Sequence, residues 1–565
     1  MKLKPAILIV ALFAAVRLPA VVSSAPPAHD VRCRNGAVVS VSLQASEVGV
    51  RTLKRGGSAV DAAVATAFAL AVTYPAAGNI GGGGFMLVVP RDAATSAVFD
   101  FREVAPAAAT RDMFVYKAGR TPHRKVGVPG TVRGLALAHQ RFGKLPWREL
   151  VLPAVRLARE GFELDAPLAA DLNKVLANSD KTQFAALHRA FGRADGEPWI
   201  AGDRLVQAEL AEVLARIADQ GADGFYTGPI AELIAAEMRS GGGLITRQDL
   251  AAYRPIVREP IRTTYRGHEI LALPPPSSGG TTLALELNIL ETFDLRSQGR
   301  GSPETLHLLI ESMRRAYRDR AAYLGDPATT KIPAKLLDKD YARQLAATID
   351  PQRATPSAEL AGDIKITSES EHTTHLSVID RERTAVSLTY TLESAYGSRV
   401  VVRGGGFLLN DEMNDFNWLP GVTDPGGRIG TPANEIAPGK RMLSSMCPVV
   451  VRRDGRTLLV TGSPGGRTII NTVLCMVTNV VDFEMDVRQA VDSPRLHHPW
   501  FPDRLRIEPG IAEKYPAAIE RLRAMGHEFD KPSRQGDAHS IWIDPQTDEI
   551  VAAADRRISG SAAGY

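Results

Sequence analysis

The sequence predicts a layered fold that mixes α-helices with β-strands, and three observations support that prediction. Helical periodicity dominates two long stretches, residues 44–75 and 130–251. Short alternating strands dominate from residue 373 onward, with one helix expected near 467–482. Of the 565 residues, 44% are hydrophobic, which is enough apolar material for a large core. Helices and strands distributed along a chain in this way pack against each other as layers.

The first two predicted helices lie within the stretch 44–75 and are separated by Gly56 and Gly57. Ser58 comes directly before the second helix, and Asp61 follows three residues later, which is the spacing of a capping box. In that motif the two side chains satisfy the first free N–H groups of the helix. The second helix is therefore predicted to begin next to Ser58.

A run of glycines predicts a tight turn into the first pair of strands. Residues 81–84 are all glycine, and they precede the apolar run 85–89. Residues 96–102 are strand-like and are the expected partner of that run. The glycines lack the Lys-Ser/Thr that completes a P-loop, so this turn is not interpreted as a nucleotide site.

The middle of the chain predicts a strand-like segment and two further helices. Residues 261–272 are strand-like, and the proline-rich loop 274–280 leads from them into an apolar helix. Another helix is expected over 304–324. The polar segment 350–372 comes next and is the best candidate for a linker.

The linker ends abruptly at a threonine that opens a strand. Thr373 precedes Thr374, His375 and Leu376, where the alternation typical of strands begins. A polar linker that runs straight into a strand indicates a cleavage site, and a cut before Thr373 would give this residue a free α-amine. Its hydroxyl could then act as nucleophile and its own amine as base. Taken alone, a threonine pair here is explained more simply by strand propensity.

Motifs on both sides of Thr373 favour the catalytic interpretation. They occur in order along nearly the whole chain and resemble the γ-glutamyltransferase (γ-glutamyltranspeptidase) family. Before Thr373 the motifs are Asp61-Ala-Ala-Val-Ala, Gly78-Asn-Ile-Gly-Gly-Gly-Gly-Phe85 and Asp100-Phe-Arg-Glu-Val-Ala-Pro106. From Thr373 onward they are Thr373-Thr-His-Leu-Ser-Val, Thr389-Tyr-Thr-Leu, Gly406-Phe-Leu-Leu-Asn-Asp-Glu-Met-Asn-Asp415-Phe, Arg441-Met-Leu-Ser-Ser-Met-Cys-Pro and Thr461-Gly-Ser-Pro-Gly-Gly466.

This resemblance specifies the fold class and the organisation of the chain. It implies an α+β fold of the N-terminal-nucleophile hydrolase type, an αββα sandwich with two central antiparallel sheets between helical layers. It also implies self-cleavage between His372 and Thr373. A large subunit, residues 26–372, and a small catalytic subunit, residues 373–565, would then form one folded heterodimer.

The resemblance also implies roles for the residues around Thr373. The Thr373 hydroxyl would first attack the carbonyl of His372 and later the γ-amide of a substrate. Thr391 would hydrogen-bond the nucleophile and assist both steps. Gly465 and Gly466 would form the oxyanion hole, since glycines let a backbone turn so that its N–H groups converge on one point.

A glutamyl donor carries an α-carboxylate and an α-ammonium group, and the sequence offers partners for both. Arg102 can bind a carboxylate through two parallel hydrogen bonds, and hydroxyl groups can add to that contact. Carboxylates are the matching partners of the ammonium group. The residues expected to bind the headgroup are Arg102, Ser444 and Ser445 for the carboxylate, and Glu393, Glu412 and Asp415 for the ammonium group.

The segment from Asp415 to Ser444 is long enough for the lid found in many family members. It reads Pro425-Gly-Gly-Arg where an aromatic residue is expected. Trp418 is therefore expected to replace that aromatic residue over the site.

Two other functions fit parts of the sequence. A related acylase on the same scaffold would cleave glutaryl or cephalosporin-type amides, but an acyl group without an ammonium would not need Asp415. A periplasmic binding protein could recognise γ-glutamyl peptides, but it would need neither Thr373 nor Gly465 and Gly466. The favoured function is that of a γ-glutamyltransferase and glutathione hydrolase. It would transfer the γ-glutamyl group of glutathione or related amides to water, amino acids or peptides.

Composition argues against several classes of partner. The chain has 67 Lys and Arg against 63 Asp and Glu, and no basic stripe with interleaved aromatics, so no nucleic-acid partner is expected. No cofactor or metal is expected either, because His497-His498 has no third ligand at a suitable spacing. Of the three cysteines, Cys447 and Cys475 lie in apolar surroundings and are expected to be buried thiols, and Cys33 completes the set.

The N-terminus has the pattern of a secretory signal peptide. Lys2 and Lys4 precede the apolar run 6–16, and small residues follow at 22–25. That run is too short to span a bilayer. Residues 1–25 are therefore predicted to be removed, which leaves a periplasmic or secreted protein with no stable membrane span.

Overall fold

The computed structural model describes residues 29–362, 364, 366–368 and 373–565. The predicted signal peptide and His372, on the N-terminal side of the predicted cleavage, lie outside these residues. Within them, no helix has both the length and the apolar composition required to cross a membrane.

Twenty strands are assigned in the described residues. They are β1 Asp30–Cys33, β2 Ala37–Ser40, β3 Gly83–Val89, β4 Ala97–Asp100, β5 Phe162–Glu163, β6 Arg204–Leu205, β7 Ile256–Arg258, β8 Ile261–Tyr265, β9 His268–Ala272, β10 Ile366–Ser368, β11 Thr374–Ile379, β12 Ala385–Thr391, β13 Arg428–Ile429, β14 Val449–Arg453, β15 Arg456–Thr461, β16 Leu496–His497, β17 Arg506–Ile507, β18 Ser540–Ile543, β19 Ile550–Ala553 and β20 Ser561–Gly564.

Eighteen α-helices accompany them in the same part of the chain. They are α1 Leu43–Lys54, α2 Ala59–Thr73, α3 Thr131–Phe142, α4 Trp147–Glu160, α5 Ala166–Ala177, α6 Ala185–Phe191, α7 Ala208–Gln220, α8 Asp223–Tyr226, α9 Gly228–Gly241, α10 Arg247–Ala252, α11 Gly279–Leu290, α12 Leu295–Gln298, α13 Pro303–Tyr323, α14 Lys339–Ala346, α15 Thr468–Val481, α16 Val487–Asp492, α17 Pro509–Lys514 and α18 Pro516–Ala524.

Two seven-stranded antiparallel sheets form the centre of the molecule. Sheet I has the strand order β1-β19-β18-β15-β14-β9-β8, and sheet II has the order β20-β2-β11-β12-β3-β4-β7. Each sheet contains strands from before and after residue 373. The two predicted subunits therefore share both sheets and are not separate domains.

Three apolar layers hold the sandwich together. Residues such as Phe85 and Val460 fill the space between the sheets. Helices α1, α2 and α3 cover the outer face of sheet II, where Met86 and Val88 belong to the same apolar cluster. Helix α4 packs on α2, and α7 packs on α4. Helices α11, α13 and α15 cover the outer face of sheet I. Alternate residues of β3 thus point to opposite layers, as the strand pleat requires, and the αββα architecture is confirmed.

The two central strands of sheet II place Thr373 and Thr391 opposite each other. In the antiparallel pair of β11 and β12, Thr374 faces Tyr390 and His375 faces Thr389. The same register continued by one residue sets Thr373 against Thr391. Odd-numbered residues of both strands, including the buried His375, point between the sheets, so both threonines lie at one end of the inter-sheet space.

Most predicted elements occur where the sequence places them. Helix α2 begins after Ser58, whose hydroxyl accepts from the Asp61 N–H while the Asp61 carboxylate accepts from the Ser58 N–H, so the predicted capping box is confirmed. The strand-like segment 261–272 is a hairpin of two strands, because Arg266 and Gly267 both take positive φ at its turn. Helices α16, α17 and α18 were not predicted. All three cysteines are buried and free.

Candidate active site

Thr373 borders two cavities that meet at its side chain. The first, called here the headgroup cavity, has a volume of only about 20 Å³. Its lining comprises Arg102, Thr373, Thr391, Glu393, Glu412, Asp415, Ser444, Ser445, Met446, Gly466, Arg467 and Ile469. Of the predicted site residues that the structure describes, all except Gly465 line this cavity.

The second cavity, called here the outer cavity, is larger. Its volume is about 590 Å³, and its lining includes Thr373, Gly465, Tyr396 and Arg534. Gly465 and Gly466 thus lie on different sides of the boundary between the two cavities, and Thr373 belongs to both.

The glycine pair lies in the turn between β15 and α15. Gly465 has φ 130° and Gly466 has φ 54°, conformations that residues with a side chain rarely adopt. Within the described residues, neither backbone N–H donates to a protein acceptor. Helix α15 begins two residues after Gly466, so the positive end of its dipole also lies at this turn. The turn is suited to binding an anion such as a developing oxyanion.

Arg102 is the central cation of the headgroup cavity. Its side chain is fully buried and donates to Glu412 and to Asp415. Its Nη2 also donates to the Leu443 carbonyl at 3.0 Å, and its Nε donates to the Met442 carbonyl at 3.3 Å. These bonds fix the guanidinium group in one orientation, with two carboxylates on its open side.

Two acids beside Arg102, Glu412 and Glu103, have pKa values raised chiefly by burial. Burial and the neighbouring carboxylates raise the pKa of Glu412 well above its ordinary range, although Arg102 opposes this. Burial also raises the pKa of Glu103 to about 7, again opposed by Arg102, whose Nη1 is 3.7 Å away. A cation bound beside these acids would oppose the shifts by favouring their ionised forms.

Ser394 bridges two more acids at the edge of this cluster. Its hydroxyl lies 2.6 Å from Glu393 and 2.8 Å from Asp411, yet it has only one hydrogen to donate. Asp411 also accepts from the Ser394 N–H and from Asn414. Burial, with nearby Asp411 and Asp415, raises the pKa of Glu393 well above the ordinary range, although hydrogen bonds from Ser394 and Asn414 oppose this. Burial raises the pKa of Asp411 as well, and the single Ser394 hydrogen cannot serve both carboxylates at once, so the arrangement favours one shared proton on this pair of acids.

The two serines present their hydroxyl hydrogens to the cavity. Ser444 Oγ accepts from the Met446 N–H at 3.1 Å, and Ser445 Oγ accepts from Arg320 Nη2 at 2.8 Å. A second Arg320 nitrogen, Nε, donates to Ser278 at 2.8 Å. Because each serine oxygen already accepts an N–H, each hydroxyl is left to donate its own hydrogen to a carboxylate.

Thr391 has a comparable fixed position. Its hydroxyl oxygen accepts from the Glu393 N–H at 2.9 Å, which ties the end of β12 to the turn that carries Glu393. Thr391 is almost fully buried, whereas Thr373 is partly exposed. The two threonines share one cavity, as the strand register predicts.

Sequence reasoning missed Glu103, Asp411 and Arg320. The first two lie inside motifs already singled out, directly after Arg102 and directly before Glu412. In the first motif only Arg102 had been assigned to the substrate, and in the second only Glu412 and Asp415. Arg320 lies on α13, far along the chain from Ser445, and no local pattern marks it.

The expected role of Trp418 is not met. Its ring packs against Phe114 at 4.7 Å between centroids, and its indole N–H donates to the Met413 carbonyl at 2.8 Å. Trp418 is absent from the described lining of the headgroup cavity. It belongs instead to a separate apolar cluster that includes Met413 and Phe416.

Comparison with known proteins agrees with this geometry. The family described as Gamma-glutamyltranspeptidase matches residues 45–565. The chain belongs to the gamma-glutamyltranspeptidase family. It is 45% identical to the glutathione hydrolase proenzyme of Escherichia coli (strain K12), over 95% of this chain and 93% of that protein.

Members with other names are also similar. The acylase ACY 1 proenzyme of Pseudomonas sp. (strain SE83) is 36% identical over 93% of each chain. Among solved structures, the cephalosporin acylase from Bacillus halodurans matches with a TM-score of 0.82 and 26% identity, covering 98% of this chain and 99% of that one. The family and its N-terminal-nucleophile fold are therefore established, and the two kinds of acyl group remain to be distinguished by the site.

Proposed function

We propose that this protein is the proenzyme of a γ-glutamyltransferase that is also a glutathione hydrolase. It cleaves itself between His372 and Thr373, and residues 26–372 and 373–565 stay together as a heterodimer. The similarity to a named glutathione hydrolase proenzyme over almost the whole chain supports this. The mature enzyme transfers the γ-glutamyl group of glutathione or related amides to water, amino acids or peptides.

Thr373 carries both steps of this proposal. In the precursor its hydroxyl attacks the His372 carbonyl, and water then releases the new N-terminus. In the mature enzyme the α-amine takes the hydroxyl proton while the oxygen attacks the γ-amide carbon. Gly465 and Gly466 stabilise the oxyanion through their N–H groups. The leaving amine takes the proton, and an ester to Thr373 remains until an acceptor attacks it.

The headgroup cavity favours a donor that carries both charges of an α-amino acid. In the headgroup cavity, the Arg102 guanidinium group pairs with the carboxylates of Glu412 and Asp415. A donor's α-carboxylate can pair with Arg102 and accept hydrogen bonds from Ser444 and Ser445. The donor's ammonium group can then pair with Glu412 and Asp415. Every charged group of the cavity therefore keeps a partner of opposite charge.

The observation that carries the proposal is the excess of acids over bases in this cavity. A glutaryl group would occupy Arg102 with its carboxylate but would leave the buried Glu412 and the partly exposed Asp415 without that cation. That arrangement is costly, because an uncompensated buried charge must be neutralised by a proton or destabilise the complex. The same reasoning makes the acylase function of some relatives a poor fit to this chain.

A direct comparison of two donors tests the proposal. γ-Glutamyl-p-nitroanilide and glutaryl-p-nitroanilide differ only in the α-ammonium group, and both release a coloured product. We expect kcat/KM for the γ-glutamyl donor to exceed that for the glutaryl donor by about a hundredfold or more, since a lost charged contact costs about 2–5 kcal/mol. Equal or reversed values would contradict the proposed donor and favour an acylase.

We further propose that the enzyme acts in the periplasm or outside the cell. The pattern of residues 1–25 supports export. Cell fractionation with N-terminal sequencing of the large subunit tests this, since export predicts a large subunit that lacks these residues. A large subunit that begins at Met1 and stays in the cytoplasm would contradict it.

A further inference from the structure

We propose that Arg320 is a positioning residue that makes the headgroup cavity select donors with an α-carboxylate, and that it acts through Ser445 and Ser444. This rests on the proposed function, because it concerns how the same donor is recognised. Arg320 lies on helix α13 and is 5% exposed. It is absent from the described lining of the headgroup cavity, so it can reach a donor only through the residues that it contacts.

Arg320 differs from the other arginines of its helix in having no carboxylate partner. Arg314 and Arg315 both pair with Glu311. Arg318 pairs with the carboxylate that follows it in the chain. Among the residues that the structure describes, Arg320 forms no ion pair, and its hydrogen-bond partners are hydroxyl groups. Because a buried charge without a partner of opposite charge is unfavourable, the missing counter-ion points to an anionic ligand.

The contacts of Arg320 connect it to both serines of the headgroup cavity. Its Nη2 donates to Ser445 Oγ at 2.8 Å, and its Nε donates to Ser278 Oγ at 2.8 Å. The Ser278 hydroxyl in turn donates to the Ser444 carbonyl at 2.6 Å. One guanidinium group therefore holds Ser445 by its side chain and Ser444 by its backbone.

These bonds prepare the Ser445 hydroxyl to donate to a carboxylate. Its oxygen accepts from Arg320, and its single hydrogen is donated to no protein acceptor within the described residues. A cation bonded to a hydroxyl oxygen polarises the O–H group, so that the hydroxyl donates more strongly to an anion. The α-carboxylate of the donor would thus be the counter-ion of Arg320, with one hydroxyl group between them.

The proline-rich loop 274–280 supports this arrangement from a second side. The Ser444 N–H donates to the Pro276 carbonyl at 2.9 Å, and the Ser278 N–H donates to the Ser444 carbonyl at 2.7 Å. The backbone around Ser444 is therefore held by the loop even without Arg320. Loss of Arg320 should change the orientation and polarity of the serine hydroxyls more than it changes the fold.

The missing counter-ion also separates this role from a structural one. Removal of Arg102 would leave Glu412 and Asp415 without their cation, whereas removal of Arg320 would leave no acid of the described residues unpaired. Replacing a buried charged group by an apolar side chain of similar volume is often neutral or stabilising. Arg320→Met should therefore mature normally, and in a Thr373→Ala background its Tm should be no lower than that of the unsubstituted chain.

The test compares two donors that differ only in the α-carboxylate. They are γ-glutamyl-p-nitroanilide and 4-aminobutanoyl-p-nitroanilide, and kcat and KM are measured for both from release of p-nitroaniline. The ratio of the two kcat/KM values reports selection for the carboxylate. A general structural defect would lower both values and leave their ratio unchanged.

Three variants and one control are compared with wild type. The variants are Arg320→Met, Arg320→Lys, and Arg320→Met in a Ser278→Ala/Ser445→Ala background, which removes both hydroxyl groups that Arg320 binds. The control is Arg300→Gln. Arg300 is also partly buried and bound by neutral groups, because it donates to an asparagine side chain at 2.6 Å and to a backbone carbonyl at 2.8 Å.

We expect Arg320→Met to lower the ratio by about tenfold, mainly through a higher KM for the γ-glutamyl donor, as for a lost hydrogen bond to a charged group. Arg320→Lys should lie between wild type and Arg320→Met, because lysine keeps the charge but lacks the fork that bonds both hydroxyl groups. In the Ser278→Ala/Ser445→Ala background, Arg320→Met should lower the ratio by at most about twofold, since its partners are already gone. Arg300→Gln should keep the wild-type ratio.

An unchanged ratio in Arg320→Met would overturn the inference. The same loss of selectivity in the Ser278→Ala/Ser445→Ala background would also overturn it, because Arg320 would then act by another route. Failure of Arg320→Met to mature, or a clearly lower Tm, would show a structural role and overturn it as well. Failure of wild type to release p-nitroaniline from the γ-glutamyl donor would instead overturn the proposed function and, with it, this inference.

Discussion

Replacing Arg102 with alanine should destabilise the fold in a way that depends on pH. Arg102 is fully buried and contacts Glu412 and Asp415, with Glu103 nearby. Removing one partner of a buried ion pair costs about 3–5 kcal/mol, because the other charge stays buried without compensation. Arg102→Ala should therefore lower stability by about that amount at pH 8, where the acids would otherwise ionise.

The penalty should shrink as the pH falls. Without the guanidinium, the pKa of Glu412 rises further above its unfolded value, so the folded variant binds more protons than the unfolded chain. Stability then increases toward acid pH, by up to about 1.4 kcal/mol per pH unit for each additional proton. The deficit relative to wild type should be clearly smaller at pH 5.5 than at pH 8.

The measurement is thermal unfolding at several pH values, in a Thr373→Ala background so that all chains remain uncleaved. Arg315→Ala is the matched control, because Arg315 and its partner Glu311 are equally buried. A second arginine, Arg314, also lies 3.3 Å from Glu311. Burial would raise the pKa of Glu311, but the two arginines outweigh it and lower that pKa to about 2. The loss of stability of Arg315→Ala relative to wild type should stay nearly constant from pH 5.5 to 8. Parallel pH profiles for the two variants would refute the proposed acid excess around Arg102.

Three other predictions follow from the site. Glu393→Gln should keep the donor KM within about threefold, because the raised pKa of Glu393 already disfavours its charge and a glutamine can still hydrogen-bond Ser394. Asp415→Asn should raise the donor KM at least about tenfold, since it removes a carboxylate that pairs with Arg102. Similar KM values for the two variants would contradict this. Glu103→Gln should gain up to about 3 kcal/mol of stability over wild type between pH 4.5 and pH 8. The folded pKa of about 7 makes wild type lose stability over this range, because the unfolded chain releases the Glu103 proton at a lower pH than the folded protein does. Unfolding free energies of the two proteins that change in parallel with pH would count against it. Thr391→Ala should mature several times more slowly and then turn over measurably, with Thr391→Ser closer to wild type in a gel time course; wild-type maturation of Thr391→Ala would remove its role.

Local patterns predict much of the fold. The capping box at Ser58 and Asp61 predicts where α2 begins, and the glycine run predicts where β3 begins. Each of these signals consists of a few adjacent residues, so it can be recognised from the sequence alone. The hairpin turn at Arg266-Gly267 was missed because the segment around it is uniformly strand-like. Which strands become neighbours follows from long-range packing. No local pattern pairs β12 with β3, although that contact sets Thr391 against Gly83.

The site residues that lie in or next to recognisable sequence motifs could be predicted from the sequence. Thr373, Thr391 and the headgroup residues all occur in motifs, and the structure brings them to one cavity. The raised pKa of Glu393 could not be predicted, because it depends on burial and on the nearby Asp411, which only the folded chain brings together. The hydrogen bond from Arg320 to Ser445 was equally hidden, since it joins α13 to a loop 125 residues away.

The measurement that tests the central claim most directly is the N-terminal sequence and intact mass of the purified fragments. The claim is that Thr373 cleaves the chain before itself and then serves as the nucleophile. Wild type should give two fragments, with the smaller one beginning at Thr373, and Thr373→Ala should remain a single inactive chain. A small fragment with a different N-terminus, or cleavage at the same bond in Thr373→Ala, would contradict the account.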